Sequence, residues 1–173
     1  MVLPVLISLY AFIAFQQPVN LIKDEWFCDT QEMTGLAYVV NDNKTLKQVI
    51  NDNAIVCSET GAFARNIDFK KYTLLNMQMQ PGNYCSINYY RRVVFDKQSG
   101  CMVYTIIANG VGLCKQPVIA TAQFVLVPKL KKGQLVKFRF DYVASEYGKE
   151  LSKAAVDKKL TAGDDKFARV IVM

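Results

Sequence analysis

The chain carries five cysteines, Cys28, Cys57, Cys85, Cys101 and Cys114, and no histidine. Without an imidazole it lacks the commonest general base, the commonest transition-metal ligand and the usual pH switch. Ser-His-Asp triads, Cys-His dyads and His-bearing zinc sites are thereby excluded by inventory. No Cys-x-x-Cys spacing occurs, so a thioredoxin-type redox pair and a zinc ribbon have no support. An odd cysteine count leaves one thiol unpaired. Cys85 and Cys114 are expected to bridge. Each follows a turn signal, Pro81-Gly82-Asn83 and Asn109-Gly110-Val111-Gly112, that places it where a neighbouring strand begins. Two buried thiols are the alternative. Closing a loop of about thirty residues stabilises a fold by roughly 3–4 kcal/mol in the chain-entropy account. Cys28 with Cys57 is the second-choice pair, and Cys101, inside a strand, is the expected free thiol. As a nucleophile, Cys101 would lack an activating imidazole.

Carboxylates and cations offer other chemistries. Asp141 with Glu146, or Asp164 with Asp165, could act as general acid and base on a glycoside, which requires two carboxyls ~5–10 Å apart across a cleft. Closeness in sequence supplies no cleft, and Asp164-Asp165 beside a glycine reads more simply as a loop. No Asp-x-Asp-x-Asp-Gly calcium loop is present. Gly110-x-Gly112 is too short for a phosphate-binding fingerprint, and no helix follows it. A non-enzymatic protein without cofactor or metal is the expectation. Arg91-Arg92 beside Tyr89-Tyr90, together with Lys129, Lys131 and Lys132, would suit a basic aromatic surface for nucleic acid. Against this, neighbouring strand residues point to opposite faces, and lysines in turns ordinarily protect sheet edges. Nucleic acid is therefore not the expected partner, although a net charge of +6 is compatible with anionic glycans or membrane surfaces.

The elements that must position these residues are mostly strands. With 173 residues, 51% of them hydrophobic, the chain suits one domain with one sizeable core. Val2 to Phe15 is a continuous apolar run, too short for the roughly twenty residues of a spanning helix and suited to a signal-peptide core. Residues 1–16 are accordingly expected to be a signal peptide or amino-terminal anchor, and residues 17–173 a single β-rich domain. No transmembrane span is expected after leader removal. Gly35 to Val40 reads as a short strand, Asn41-Asp42-Asn43 as a turn with a helix N-cap, and Lys44 to Ile50 as a short amphipathic helix on Leu46, Val49 and Ile50. Ser58 to Asn66 reads as a loop.

From Phe69 to Tyr142 the period is two. Leu75, Met77 and Met79 alternate with Asn76, Gln78 and Gln80, so that one face enters a core and the other meets water. Ile87, Tyr89, Val93 and Phe95 share a face of the next strand. Asp96 to Gly100 is a hairpin loop into a strand from Cys101 to Ala108, which predicts antiparallel pairing. Val118, Ala120, Ala122, Phe124 and Leu126 alternate until Pro128, which cannot donate to a ladder. Lys131-Lys132-Gly133-Gln134 turns the chain into Val136, Phe138, Phe140 and Tyr142. Beyond about residue 143 an extension follows. A helix is expected from Tyr147 to Leu160 behind Ser145, with Gly148 costing it about 1 kcal/mol. A strand from Phe167 to Val172 then returns to cover a sheet edge.

Four strings, in this order, resemble a family: Ile67-Asp68-Phe69-Lys70-Lys71-Tyr72-Thr73-Leu74-Leu75, Gly82-Asn83-Tyr84-Cys85, Gly112-Leu113-Cys114-Lys115 and Phe124-Val125-Leu126-Val127-Pro128-Lys129. They are similar to small secreted proteins of diderm bacteria related distantly to the carboxy-terminal domain of the protease-complex subunit PrcB. The resemblance spans about residues 36–140. The chain departs from that pattern where Asn83-Tyr84-Cys85 replaces a more glycine-rich turn, and in its carboxy-terminal extension. The resemblance implies a non-catalytic, secreted β module that assists or binds a protease or another exported partner.

Together these readings predict an α+β fold, mainly antiparallel β: a single meander-type sheet or small sandwich, one short amino-terminal helix and a carboxy-terminal helix. The expected function is a secreted, periplasmic or cell-surface binding module engaging another exported protein through loops at Pro81-Gly82-Asn83, Asn109 to Leu113 and Lys129 to Gln134. A protease inhibitor or protease-complex accessory subunit is the second reading, and a polyanion binder the third.

Overall fold

A computed structural model of the protein describes residues 19–30, 35–57, 67–80, 82, 84–113, 120–145, 155 and 169–172. In chain order the elements are β1 (Asp24–Thr30), β2 (Leu36–Val40), α1 (Asn43–Asp52), β3 (Tyr72–Met79), β4 (Tyr84–Asp96), β5 (Cys101–Leu113), β6 (Ala120–Pro128), β7 (Val136–Ser145) and β8 (Arg169–Val172). They form a five-stranded sheet, ordered β1-β6-β3-β2-β8, and a three-stranded sheet, ordered β4-β5-β7. Pairing is mostly antiparallel, with parallel contacts between β5 and β7 and between β2 and β8. The strands therefore do not make one meander. β3 leaves its chain neighbour β4 to the other sheet and takes β6 instead, because each sheet needs an apolar face to cover.

Alternation within each strand explains the layering. Leu75, Met77 and Met79 of β3, with Val125 and Val127 of β6, meet Val93, Tyr104, Ile106, Val136 and Phe138 of the smaller sheet in one buried core. Leu74, Phe124 and Ala122 point the other way, onto a second core with Leu46 and Val49 of α1 and Cys28 of β1. The larger sheet is thus a middle layer, buried on both sides, and this corrects one expectation. Asn76 and Gln78 do not meet water: both are fully buried, and the Asn76 Oδ1 and both Gln78 amide atoms lack a hydrogen-bond partner.

α1 begins where the sequence places it. The Asp42 carboxylate accepts from Thr45 N at 2.8 Å and from Thr45 Oγ1 at 2.9 Å. These bonds, the backbone one foremost, hold its pKa below the ordinary 3.8. The helix ends in a Schellman motif, with Ala54 N donating to Asn51 O at 3.3 Å and Ile55 N to Ile50 O at 3.0 Å. Ala54 occupies the left-handed position at φ 45°, where glycine carries no Cβ penalty. Ala54→Gly is expected to raise the unfolding free energy by about 0.5–1 kcal/mol, measured as a shift in urea midpoint at unchanged slope.

β4 and β5 form the long hairpin expected from Asp96 to Gly100, in register from Asp96↔Cys101 to Tyr84↔Leu113. One expectation fails here. Asn109 to Leu113 is not an exposed loop: β5 runs through it, and Asn109 is fully buried. Its glycines serve packing. A Cβ on Gly110 would lie 2.5 Å from the Tyr142 hydroxyl and from the Tyr84 ring, so glycine here marks close approach inside a strand. β6 ends at Pro128, as the missing donor requires. β8 pairs alongside β2 at the sheet edge, within the predicted final strand. The leader expected at 1–16, the loop expected at 58–66 and, apart from Ala155, the helix expected at Tyr147 to Leu160 lie outside the described residues.

Candidate functional site

A concave surface is built where β6 hands over to β7. Past Pro128 the backbone is held by two bonds to distant residues. Lys129 N donates to Lys71 O at 2.8 Å, and Leu130 N to Thr73 Oγ1 at 3.2 Å. Thr73 Oγ1 in turn donates to Asn41 Oδ1 at 2.7 Å. The Lys129 ammonium donates to the same Asn41 oxygen at 3.0 Å, which ties it to the turn before α1. Gln134 N then donates to Lys131 O at 3.0 Å, and Gly133 takes φ 79°. With no positive φ at Lys132, this is a type II turn, whose third position requires glycine-like freedom. The Gln134 side chain closes it from below, accepting from Lys131 N at 3.0 Å.

This rigid turn frames a depression of about 680 Å³. Its apolar wall comes from Val39, Leu130, Leu135 and Val136, and its polar rim from Asn41, Gln134 and four lysines, Lys129, Lys131, Lys132 and Lys137. Val39 and Val136 are buried, whereas Leu135 is 66% exposed. Among the described residues no carboxylate lines the depression. The ion pairs of Lys71 with Asp68 and of Arg91 with Glu25 involve none of these lysines. Lys137 is the most nearly compensated. Asp96, held below the ordinary carboxylate range first by the Ser99 hydroxyl and then by Gln98 N, also feels the Lys137 charge.

The other expected site residues are dispersed. Arg91 and Arg92 form no shared basic surface. Arg91 points between the sheets, donating through Nε to Gln123 Oε1 at 2.7 Å and through Nη2 to the same oxygen. Its Nη1 pairs with Glu25 at 3.2 Å, and the guanidinium lies 5.8 Å from the Tyr89 ring centroid. Tyr89 packs against Phe27 and shares a hydrogen bond with Thr121, and its burial pushes the phenol pKa up. The alternation of β4 sends Arg92 to the opposite face. Arg91 thus serves to join β4 to β1 and β6.

The sulfur atoms are also sorted by the fold. Cys28 and Cys57 are bonded to each other, while Cys101, at the start of β5, is a buried free thiol donating to Ser99 O at 3.3 Å. Cys85 is disulfide-bonded as well. Cys114, its expected partner, lies outside the described residues, as do Pro81, Asn83, Glu146, Asp164 and Asp165. Gly82 and Gly112 take positive φ values of 100° and 70°. Asp141 accepts from Tyr142 N at 2.8 Å.

Sequence reading found three rim lysines and missed the floor. Val39 and Asn41 come from almost ninety positions earlier than Lys129, so no local pattern connects them to it. Leu135 did leave a signal. It is a large apolar residue out of phase with Val136, Phe138, Phe140 and Tyr142, and therefore cannot share their buried face. Comparison with protein-family profiles, curated proteins and solved structures finds no match to this chain. No helix among the described residues is long and apolar enough to cross a membrane.

Proposed function

We propose that the protein is a non-catalytic, extracytoplasmic binding module that engages an exported protein through the depression between Asn41 and Lys137. The observation that carries this reading is Leu135. A large aliphatic side chain stands 66% exposed just past a hydrogen-bonded turn, at the mouth of an apolar depression whose rim carries four lysines and, among the described residues, no carboxylate. A rigid scaffold that presents an apolar anchor inside a polar rim is the arrangement of a protein-binding hot spot. The Cys28–Cys57 bond supports an oxidising compartment, where such bonds persist. The resemblance of residues 36–140 to small secreted proteins related distantly to the PrcB carboxy-terminal domain is what supports a protease complex as the alternative destination.

Photocrosslinking tests the contact site directly. With p-benzoylphenylalanine in place of Leu135, irradiation of the exported fraction is expected to give a discrete adduct with another exported protein. The same group in place of Lys97, at the tip of the β4–β5 hairpin, should give none. Identical adduct patterns from both positions, or none from position 135, would overturn the assignment.

A further inference from the structure

Resting on the contact site proposed above, we infer that the depression takes an acidic peptide segment carrying apolar side chains: aliphatic groups on the floor, carboxylates at the rim. Charge complementarity selects the acidic part. Lys129, Lys131, Lys132 and Lys137 surround the depression and, among the described residues, no carboxylate lines it, so a bound anion gains attraction without displacing an existing ion pair. Lys129 is already positioned by Asn41 at 3.0 Å, which lowers the side-chain entropy lost on binding.

The floor selects the apolar part. Val39, Leu130 and Val136, with Leu135 at the mouth, are aliphatic, and among the described residues no aromatic residue lines the site. Nucleic acid therefore lacks the stacking platforms that single strands use, and a uniformly charged polymer would leave the floor uncovered. A bilayer is disfavoured by shape, because Val39 and Val136 are recessed at 9% and 8% exposure, beyond the reach of a flat surface. The cations themselves point the same way. All four are lysines, compact charges on flexible stems that follow carboxylates of varied spacing, whereas planar bidentate recognition of phosphate favours arginine. A volume of about 680 Å³ falls in the ~300–1,000 Å³ range of ligand sites and accommodates a few side chains.

Fluorescence anisotropy tests the assignment, using the disulfide-intact full chain and a fluorescein-labelled peptide of sequence Gly-Glu-Glu-Leu-Leu-Glu-Glu-Gly. Saturable binding is expected, weakened about tenfold or more by the Lys131→Glu/Lys132→Glu double variant and by Leu135→Asp. All three positions are exposed, so these variants retain the fold. Binding should also weaken as salt rises from about 50 to about 200 mM. The Gln-for-Glu peptide should bind at least about tenfold more weakly. Equal binding of the Gln peptide, indifference to the lysine reversal, or preferential retention on phosphatidylglycerol vesicles or heparin would each overturn the acidic-peptide ligand. An exported adduct at position 135 without peptide binding removes the ligand chemistry and leaves the contact site standing. Loss of both removes the contact site too.

Discussion

Replacing both members of the Cys28–Cys57 bridge, as Cys28→Ala/Cys57→Ala, is expected to lower the unfolding free energy by about 3–4 kcal/mol. The bridge spans 29 positions, and freeing that loop returns the entropy of its closure to the denatured chain. Its setting adds to the effect. Cys28 is buried at 1% exposure among Leu46, Val49 and Phe124, and the segment it anchors borders the edge strand β1. Asp29 and Val56 exchange backbone hydrogen bonds of 2.9 Å in both directions, an isolated bridge from β1 to the segment after α1. Guanidinium denaturation of oxidised parent and variant gives the difference. Amide exchange should accelerate first at Asp29 and Val56. A loss below about 1 kcal/mol would mean that the loop is already restricted in the denatured ensemble, against the chain-entropy account.

Arg91→Met is expected to cost about 2–3 kcal/mol, mainly through Gln123 rather than through Glu25. The Glu25 side chain is 49% exposed, so water replaces most of its ion pair. Gln123 is fully buried. Its Oε1 accepts both arginine bonds, whereas its Nε2 keeps a partner in Thr121 at 3.3 Å. Removing the guanidinium therefore leaves one buried carbonyl oxygen without a donor, and methionine preserves most of the packing over Tyr89. The double variant Arg91→Met/Gln123→Leu should recover at least about 1 kcal/mol, since removing both partners is cheaper than orphaning one. Glu25→Gln should cost less than about 1 kcal/mol. Equal losses for Glu25→Gln and Arg91→Met in urea titrations would contradict this apportionment.

The contrast between the two predictions reflects how far each feature was legible. The α1 N-cap within Asn41 to Asn43, the Asp96 to Gly100 hairpin and the stop at Pro128 were readable because each is decided within a few residues. The Cys28–Cys57 bond and the Arg91–Gln123 contact join strands distant in the sequence. β1 itself left only the weak alternation of Trp26, Cys28 and Thr30, interrupted by the charges of Asp24, Glu25 and Asp29. Asn76 and Gln78 misled for a related reason. A polar residue every second position ordinarily marks a solvent face, but that face lies towards a second packed layer. Asn109 to Gly112 read as a turn from its glycines alone, whereas the crowding by Tyr84 and Tyr142 that requires Gly110 arises from two other strands.

For the candidate site the division is similar. Lys129, Lys131, Lys132 and the glycine turn were visible as a basic loop, and composition alone removed every imidazole-dependent chemistry. Only the folded chain brings Val39 and Asn41 from the β2–α1 corner beneath that loop, making a lined depression out of what would otherwise be solvated edge protection. By itself the sequence determined the local conformations: turn chemistry, capping and period-two strands depend on neighbouring residues. The tertiary structure decided which strands pair, which faces are covered and which cations stand beside apolar surface, because those outcomes depend on burying both faces of a middle sheet at once.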